Sequence, residues 1–208
     1  MGELTNYIDI AKRVIQIEND NSTNPEFSPI FTFPFTNDYK NWVNLHANEF
    51  QSTAKKKWVR FYSEIIDNQI VPSGVKIPVE WHRNIVNNRI NYRIGYRTYG
   101  TYLIADINEK LLYIGKCEYP PIIRLLDRMI PRSFNQLNNV PQIWDNYISQ
   151  GIKVKCAYCY NLSFDPEILE SFLIHEYCIQ EGTYQMFNRK MSTGEYYKKV
   201  LEIKSKLK

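Results

Sequence analysis

The sequence predicts an α+β protein, with a small central antiparallel or mixed sheet flanked by helices and a mostly helical N-terminal extension. Three observations lead there. Two short apolar–aromatic runs, 101–104 and 111–114, flank the polar stretch Asp106-Ile107-Asn108-Glu109-Lys110, the pattern of a β-hairpin. The stretch 153–160 is strand-like. Segments at both ends of the chain place apolar residues at helical spacing.

Taken in order, residues 4–17 predict a helix with Ile8, Ala11, Val14 and Ile15 near one face. Residues 19–38 are rich in Asn, Ser, Thr, Pro and Phe without a period, and predict an ordered loop packed by its phenylalanines. Residues 39–70 read as mainly helical until Pro72-Ser73-Gly74 breaks the pattern. A further helix is expected over 79–91, with Trp81, Ile85 and Ile90 as its apolar set. After the hairpin come helix 121–130, helix 141–150 with Trp144 and Ile148, strand 152–160, helix 166–180 and a basic C-terminal helix over 196–207. Asp165 is placed to cap helix 166–180, with Pro166 at its first position. The expected organisation is a mainly helical N-terminal region over 1–97, a second domain over 98–190 and the C-terminal helix over 191–208.

Composition narrows the function classes. The chain has 208 residues, 44% of them hydrophobic, and a formal net charge of +4. That length suits one large or two small domains, and the apolar content argues against wholesale disorder. No run of eighteen apolar residues is present, so no membrane span is expected. The start Met1-Gly2-Glu3-Leu4 is neither basic nor followed by an apolar core, so a cytoplasmic location is expected.

Charge is unevenly spread. Residues 1–54 hold Lys12, Arg13 and Lys40 against seven acids, a net −4. Residues 55–97 hold Lys55, Lys56, Lys57, Arg60, Lys76, Arg83, Arg89, Arg93 and Arg97 against Glu64, Asp67 and Glu80, a net +6. Such a block, interleaved with Trp58, Trp81, Tyr92 and Tyr96, suits contact with a nucleic acid. The alternative is a solvated basic face with its aromatics turned inward. Asn87, Asn88 and Arg89 offer side chains matched to adenine and guanine edges.

The chemistry-bearing residues gather after position 98. Gly100-Thr101-Tyr102 is followed, ten residues on, by Tyr113-Ile114-Gly115-Lys116. Arg124 and Arg128 are four apart and share a helix face. Glu170 sits between Leu169 and the run Phe172-Leu173-Ile174, where a carboxylate needs a partner. Asn188 follows Phe187.

This set, in this order, resembles the GIY-YIG nuclease family over about residues 98–190. Gly100-Thr101-Tyr102 matches the first element and Tyr113-Ile114-Gly115 the second. Arg124 matches the family's helix arginine, Glu170 its metal-binding glutamate, Asn188 its late asparagine, and Lys116 the lysine that follows the second element in several members. Two positions depart from the family pattern: Thr101 replaces an aliphatic, and Arg128 stands where many members carry His or Tyr. Arg128 either takes a phosphate contact or is a solvated helix charge.

The resemblance implies a Mg²⁺-dependent phosphodiesterase acting on double-stranded DNA, with Mn²⁺ as the alternative metal. It implies Tyr102 as general base, Tyr113 and Lys116 in the catalytic set, Arg124 on the phosphate, Glu170 on the metal and Asn188 as an anchor. The expected activity is that of a sequence-specific type II restriction endonuclease, homodimeric by analogy, with a cognate methyltransferase as a possible companion. Lys55, Lys56, Lys57, Arg60, Arg83, Asn87, Asn88, Arg89, Arg93, Arg97 and Arg128 are the expected DNA contacts. A phage or mobile-element nuclease of loose specificity is the nearest alternative. The other is a non-catalytic nucleic-acid-binding protein with zinc on Cys156, Cys159, His175 and Cys178, whose spacing approaches that of a zinc site. Buried free thiols are the default for those cysteines.

Overall fold

A computed structural model describes residues 2–20, 22–32, 100–117, 142–182 and 194–207. The described residues fall into two compact units. The larger takes those of 2–30, 100–117, 155–182 and 194–207, and the smaller takes 31–32 and 142–154.

In the larger unit, helices α1 (Glu3–Glu18), α3 (Pro166–Glu181) and α4 (Glu195–Leu207) accompany a small sheet. Its strands are β1 (Glu26–Phe27), β3 (Gly100–Asp106), β4 (Leu111–Cys117) and β5 (Val154–Tyr160), in the order β1-β5-β3-β4. The β1·β5 and β3·β4 pairs are antiparallel. In the smaller unit lie strand β2 (Phe31–Thr32), helix α2 (Gln142–Asn146) and a 3₁₀ turn, Ile148–Gln150. The α+β class expected from sequence is the class observed.

The hairpin closes as its turn residues dictate. Asp106 Oδ1 accepts from the amides of Asn108 and Lys110, each at 2.8 Å. Glu109 takes the left-handed conformation, φ 69°, unusual for a residue with a Cβ. Its position is compensated by its partners. The Glu109 carbonyl accepts from Leu4 N at 3.0 Å, and its carboxylate accepts from Thr5 Oγ1 at 2.9 Å and Lys155 Nζ at 3.0 Å. Lys155 first, then Thr5, hold that carboxyl below its ordinary range. The turn thereby satisfies donors at the start of α1, whose N-cap, Gly2, has no side chain to do so. In return, Glu3 Oε2 accepts from Leu111 N at 2.7 Å.

Helix α3 starts as its sequence signals. Asp165 accepts from Glu167 N at 2.9 Å, Pro166 opens the first turn and Gly182 ends the helix at φ 68°. The core of this unit joins Leu4, Ala11 and Val14 of α1, Leu169, Phe172 and Leu173 of α3, and Val200 and Ile203 of α4. They pack on Leu103, Ala105, Ile114, Ala157 and Cys159 of the sheet.

Three expectations are refined. The loop expected over 19–38 contains β1 and β2. The helix expected over 141–150 is split, because Tyr147 leaves helical geometry at φ −124°, ψ −62°, and a 3₁₀ turn ends at left-handed Gly151. The helix at 4–17, assigned by sequence to an N-terminal region, packs with α3 and α4 in the hairpin's own unit. The helices expected over 39–70, 79–91 and 121–130 lie outside the described residues.

Candidate active site at the hairpin

Strand alternation sorts the candidate residues onto two faces. The β3·β4 register pairs Gly100 with Cys117, Thr101 with Lys116, Tyr102 with Gly115, Leu103 with Ile114 and Ile104 with Tyr113. Tyr102, Tyr113 and Gly115 therefore share one face. Thr101 and Lys116 share the other, on which the helices pack.

On the first face, Tyr102 and Tyr113 are diagonal cross-strand neighbours. Their ring centroids lie 5.9 Å apart, with the planes tilted by 32°. Tyr102 is 0% exposed and Tyr113 8%. The ring and hydroxyl of Tyr102 lie over Gly115, where a Cβ would overlap them and would stand 2.7 Å from Tyr113 Cε1. The last residue of the second motif is thus glycine because the tyrosine of the first covers it. Tyr158 and Tyr160 of β5 belong to the same face, with centroids 6.0 Å apart. Tyr160 donates from its hydroxyl to Glu26 Oε2 at 2.7 Å. Burial first, then Glu26, push the Tyr160 phenol up to about 12, and burial raises Tyr158 as well.

On the second face, Lys116 Nζ donates to Glu167 Oε2 on the first turn of α3. Burial works against the charged amine, but the Glu167 hydrogen bond and the charges of Glu167, Asp165 and Glu170 outweigh it and hold Lys116 above its ordinary value. Glu170 is half-buried one turn beyond Glu167, and its charge acts on Lys116. Thr101 Oγ1 donates to Pro166 O at 3.5 Å, linking the first motif's strand to the same turn.

The structure brings the two tyrosines together over Gly115, and brings Lys116 together with Glu167 and within the field of Glu170. It does not put the tyrosines and the carboxylate on one face of the sheet. β4 carries both sets, through Tyr113 and Gly115 on one side and Lys116 on the other. Arg124, Arg128 and Asn188 lie outside the described residues, as do Lys55, Lys56, Lys57, Arg60, Arg83, Asn87, Asn88, Arg89, Arg93 and Arg97. Sequence reading missed Glu167 as the partner of Lys116. The available signal was its place three residues ahead of Glu170, on the same helix face.

The zinc alternative meets a geometric obstacle. Cys156 and Cys159 are three apart on a strand and fall on opposite faces: Cys159 joins the helix-packed core and Cys156 does not. Both are completely buried, and burial raises both thiols, Cys159 to about 12. Among the described residues no group of three or more His, Cys, Asp or Glu could hold a metal ion. No described helix is long and apolar enough to cross a membrane. No protein-family model, curated protein or solved structure matches this chain.

Proposed function

We propose that the chain is a Mg²⁺-dependent endonuclease of the GIY-YIG kind. It hydrolyses phosphodiester bonds in double-stranded DNA with the sequence specificity of a type II restriction enzyme. The carrying observation is the hairpin register. Tyr102 stands opposite Gly115 with Tyr113 as its diagonal neighbour, so the two short motifs make one interlocked structure.

The chemistry follows from the residue types. Water is a weak nucleophile and the phosphodiester repels anions, so a base and a positive clamp are required. Tyr102, ionised to the phenolate, takes the proton of the attacking water on its phenolic oxygen and becomes the neutral phenol. A phenol ionises near pH 10, and burial opposes the phenolate, so this role demands positive charge nearby, from Lys116, Arg124 or the metal. Tyr113 orients the water or contacts the phosphate. Arg124 offers a planar fork matched to phosphate oxygens, and Asn188 anchors backbone or phosphate. The scissile phosphate belongs at the Gly115–Lys116 end of β4, the stretch shared by the two faces.

A single half-buried carboxylate, Glu170, suits Mg²⁺, which keeps several waters and takes one or two protein carboxylates together with substrate phosphate. When bound, the cation supplies Lewis-acid stabilisation of the phosphate and the leaving 3′ oxygen. The basic block 55–97 supplies DNA contacts, and a homodimer gives the two-fold symmetry needed to cut both strands of a palindrome.

Plasmid DNA incubated with and without Mg²⁺, followed by sequencing of the cut ends, tests the reading. The expected result is a defined fragment set that requires the metal. Glu170→Ala should abolish cleavage and leave DNA binding largely intact. A smear of fragments would shift the assignment to a nuclease of loose specificity. Absence of cleavage by folded wild-type protein, in Mg²⁺ and in Mn²⁺, would overturn it.

A further inference from the structure

We infer that Glu167 is a specificity-determining residue: it holds the Lys116 amine and competes with phosphate for it, so that only DNA already seated by base contacts takes the lysine. This rests on the nuclease reading above and adds to it a means of discrimination. Lys116 Nζ donates to Glu167 Oε2. The two side chains are 33% and 28% exposed, so the pair lies where a DNA backbone can reach it. The occupant is also anchored. The Glu167 amide donates to Asp165 Oδ1 at 2.9 Å, and Asp165 Oδ2 accepts from Tyr196 Oη of α4 at 2.9 Å. The carbonyl of the preceding residue, Pro166, accepts from Thr101 Oγ1 of β3 at 3.5 Å.

A carboxylate and a phosphate offer the same kind of anionic oxygen to an ammonium. A phosphate that approaches Lys116 meets an amine already bonded to an acid. It must settle beside a like charge or drive the carboxylate off, and with the backbone anchored only rotation of the Glu167 side chain clears the way. DNA held by phosphate contacts alone exchanges one ion pair for another there and gains little. DNA seated by base contacts keeps its phosphate beside the amine at high effective concentration, and the exchange goes to completion. A built-in competitor of this kind acts against the wrong partner more than the right one.

Binding of a short random-sequence DNA duplex in EDTA, across salt concentrations, tests the competition in wild type and in Glu167→Gln, with thermal melting to show that each is folded. Each neutralised phosphate contributes about −0.9 to the slope of log K against log salt. Glu167→Gln should steepen that slope by about 0.9 and bind about five- to tenfold more tightly at about 0.1 M salt. Combining it with Lys116→Ala should remove the steepening, since the released lysine makes the extra contact. At the sites found by sequencing cut ends, Glu167→Gln should narrow severalfold the ratio of cleavage at the cognate sequence to cleavage at sequences differing by a single base pair. A wild-type slope in folded Glu167→Gln, a steepening that persists without Lys116, or an unchanged cleavage ratio would overturn the competition and leave the nuclease reading standing. The Gln variant should fold, because a partly exposed pair contributes little stability. If it does not, amine labelling of wild type decides. The random-sequence duplex should leave the labelling of Lys116 unchanged, and protection of Lys116 by that duplex would overturn the proposal. Folded wild type that never cleaves removes the nuclease reading, and this inference with it.

Discussion

The two faces of the sheet are built from different materials. The helix-packed face is aliphatic: Leu103, Ala105, Ile114, Ala157 and Cys159 meet the apolar stripes of α1, α3 and α4. The opposite face is phenolic, carrying Tyr102, Tyr113, Tyr158 and Tyr160. Aliphatic packing is non-directional and scales with area removed from water. A buried tyrosine adds a hydroxyl that needs a partner and a ring that prefers particular tilts. The first face therefore supplies stability. The second is where small changes of shape should register as changes of chemistry. The same strand, β4, belongs to both, which is how a scaffold residue such as Ile114 and a candidate site residue such as Tyr113 come to be adjacent in sequence.

That contrast can be broken most severely from the aliphatic side. Leu173 of α3 is completely buried in the core shared by the three helices and the sheet, and Leu173→Ala should cost about 2–5 kcal/mol, the range for deleting a packed leucine side chain. Urea unfolding measures it, and a loss well under that range would show that this core is not closely packed. Cleavage per folded molecule should survive.

On the phenolic side, Gly115→Ala forces a Cβ into the ring of Tyr102 and towards Tyr113. Overpacking of this kind costs about 1–3 kcal/mol, a smaller stability effect than at Leu173. Here cleavage per folded molecule should fall sharply, because the rings themselves must move. Comparable activity in the two variants, corrected for folded fraction, would erase the proposed division between the faces.

The smallest effect concerns the seam between α3 and α4. His175 is 8% exposed, its ring lies 5.7 Å from that of Tyr197, and its Nδ1 is 3.7 Å from Glu176 Oε1, beyond normal hydrogen-bond length. Lys204 Nζ lies 2.6 Å from the same oxygen. Burial, then Lys204, hold His175 below its ordinary value, against the pull of Glu176. The folded protein thus keeps the ring neutral at a pH where the unfolded chain already binds a proton. Stability should decline as pH falls below about 6.5 and level off once the folded histidine also protonates. Urea midpoints taken on either side of that value should differ more in wild type than in His175→Asn. Equal differences would assign the pH dependence elsewhere.

Much of the fold was legible because its signals are local. Asp165-Pro166 starts α3 where capping chemistry places it, and Asp106 and Asn108 mark the hairpin turn. The 3.6-residue spacing of Leu4, Ile8, Ala11 and Ile15 identifies the buried face of α1. The break at Tyr147 was not legible, since 142–150 has acceptable helix formers and nothing local marks the 3₁₀ turn. Nor was β1, a two-residue strand whose existence depends on pairing with Tyr160 and Cys159 some 130 residues away. Of the candidate site, the pairing of Tyr102 with Tyr113 could be anticipated from strand period and turn length. The partner of Lys116 was legible only in part: helical spacing sets Glu167 on the face of Glu170, but which acid takes the amine depends on how the helix is docked.

By itself, then, the chain determined which segments coil, which extend, and which side chains of the hairpin share a face, because backbone sterics and side-chain periodicity act over a few residues. Only the tertiary structure decided that Glu167 takes the lysine, that Glu109 closes the first turn of α1, and that Cys156 and Cys159 part to opposite sides. Those outcomes depend on how helices settle on the sheet, through contacts between residues far apart along the polymer.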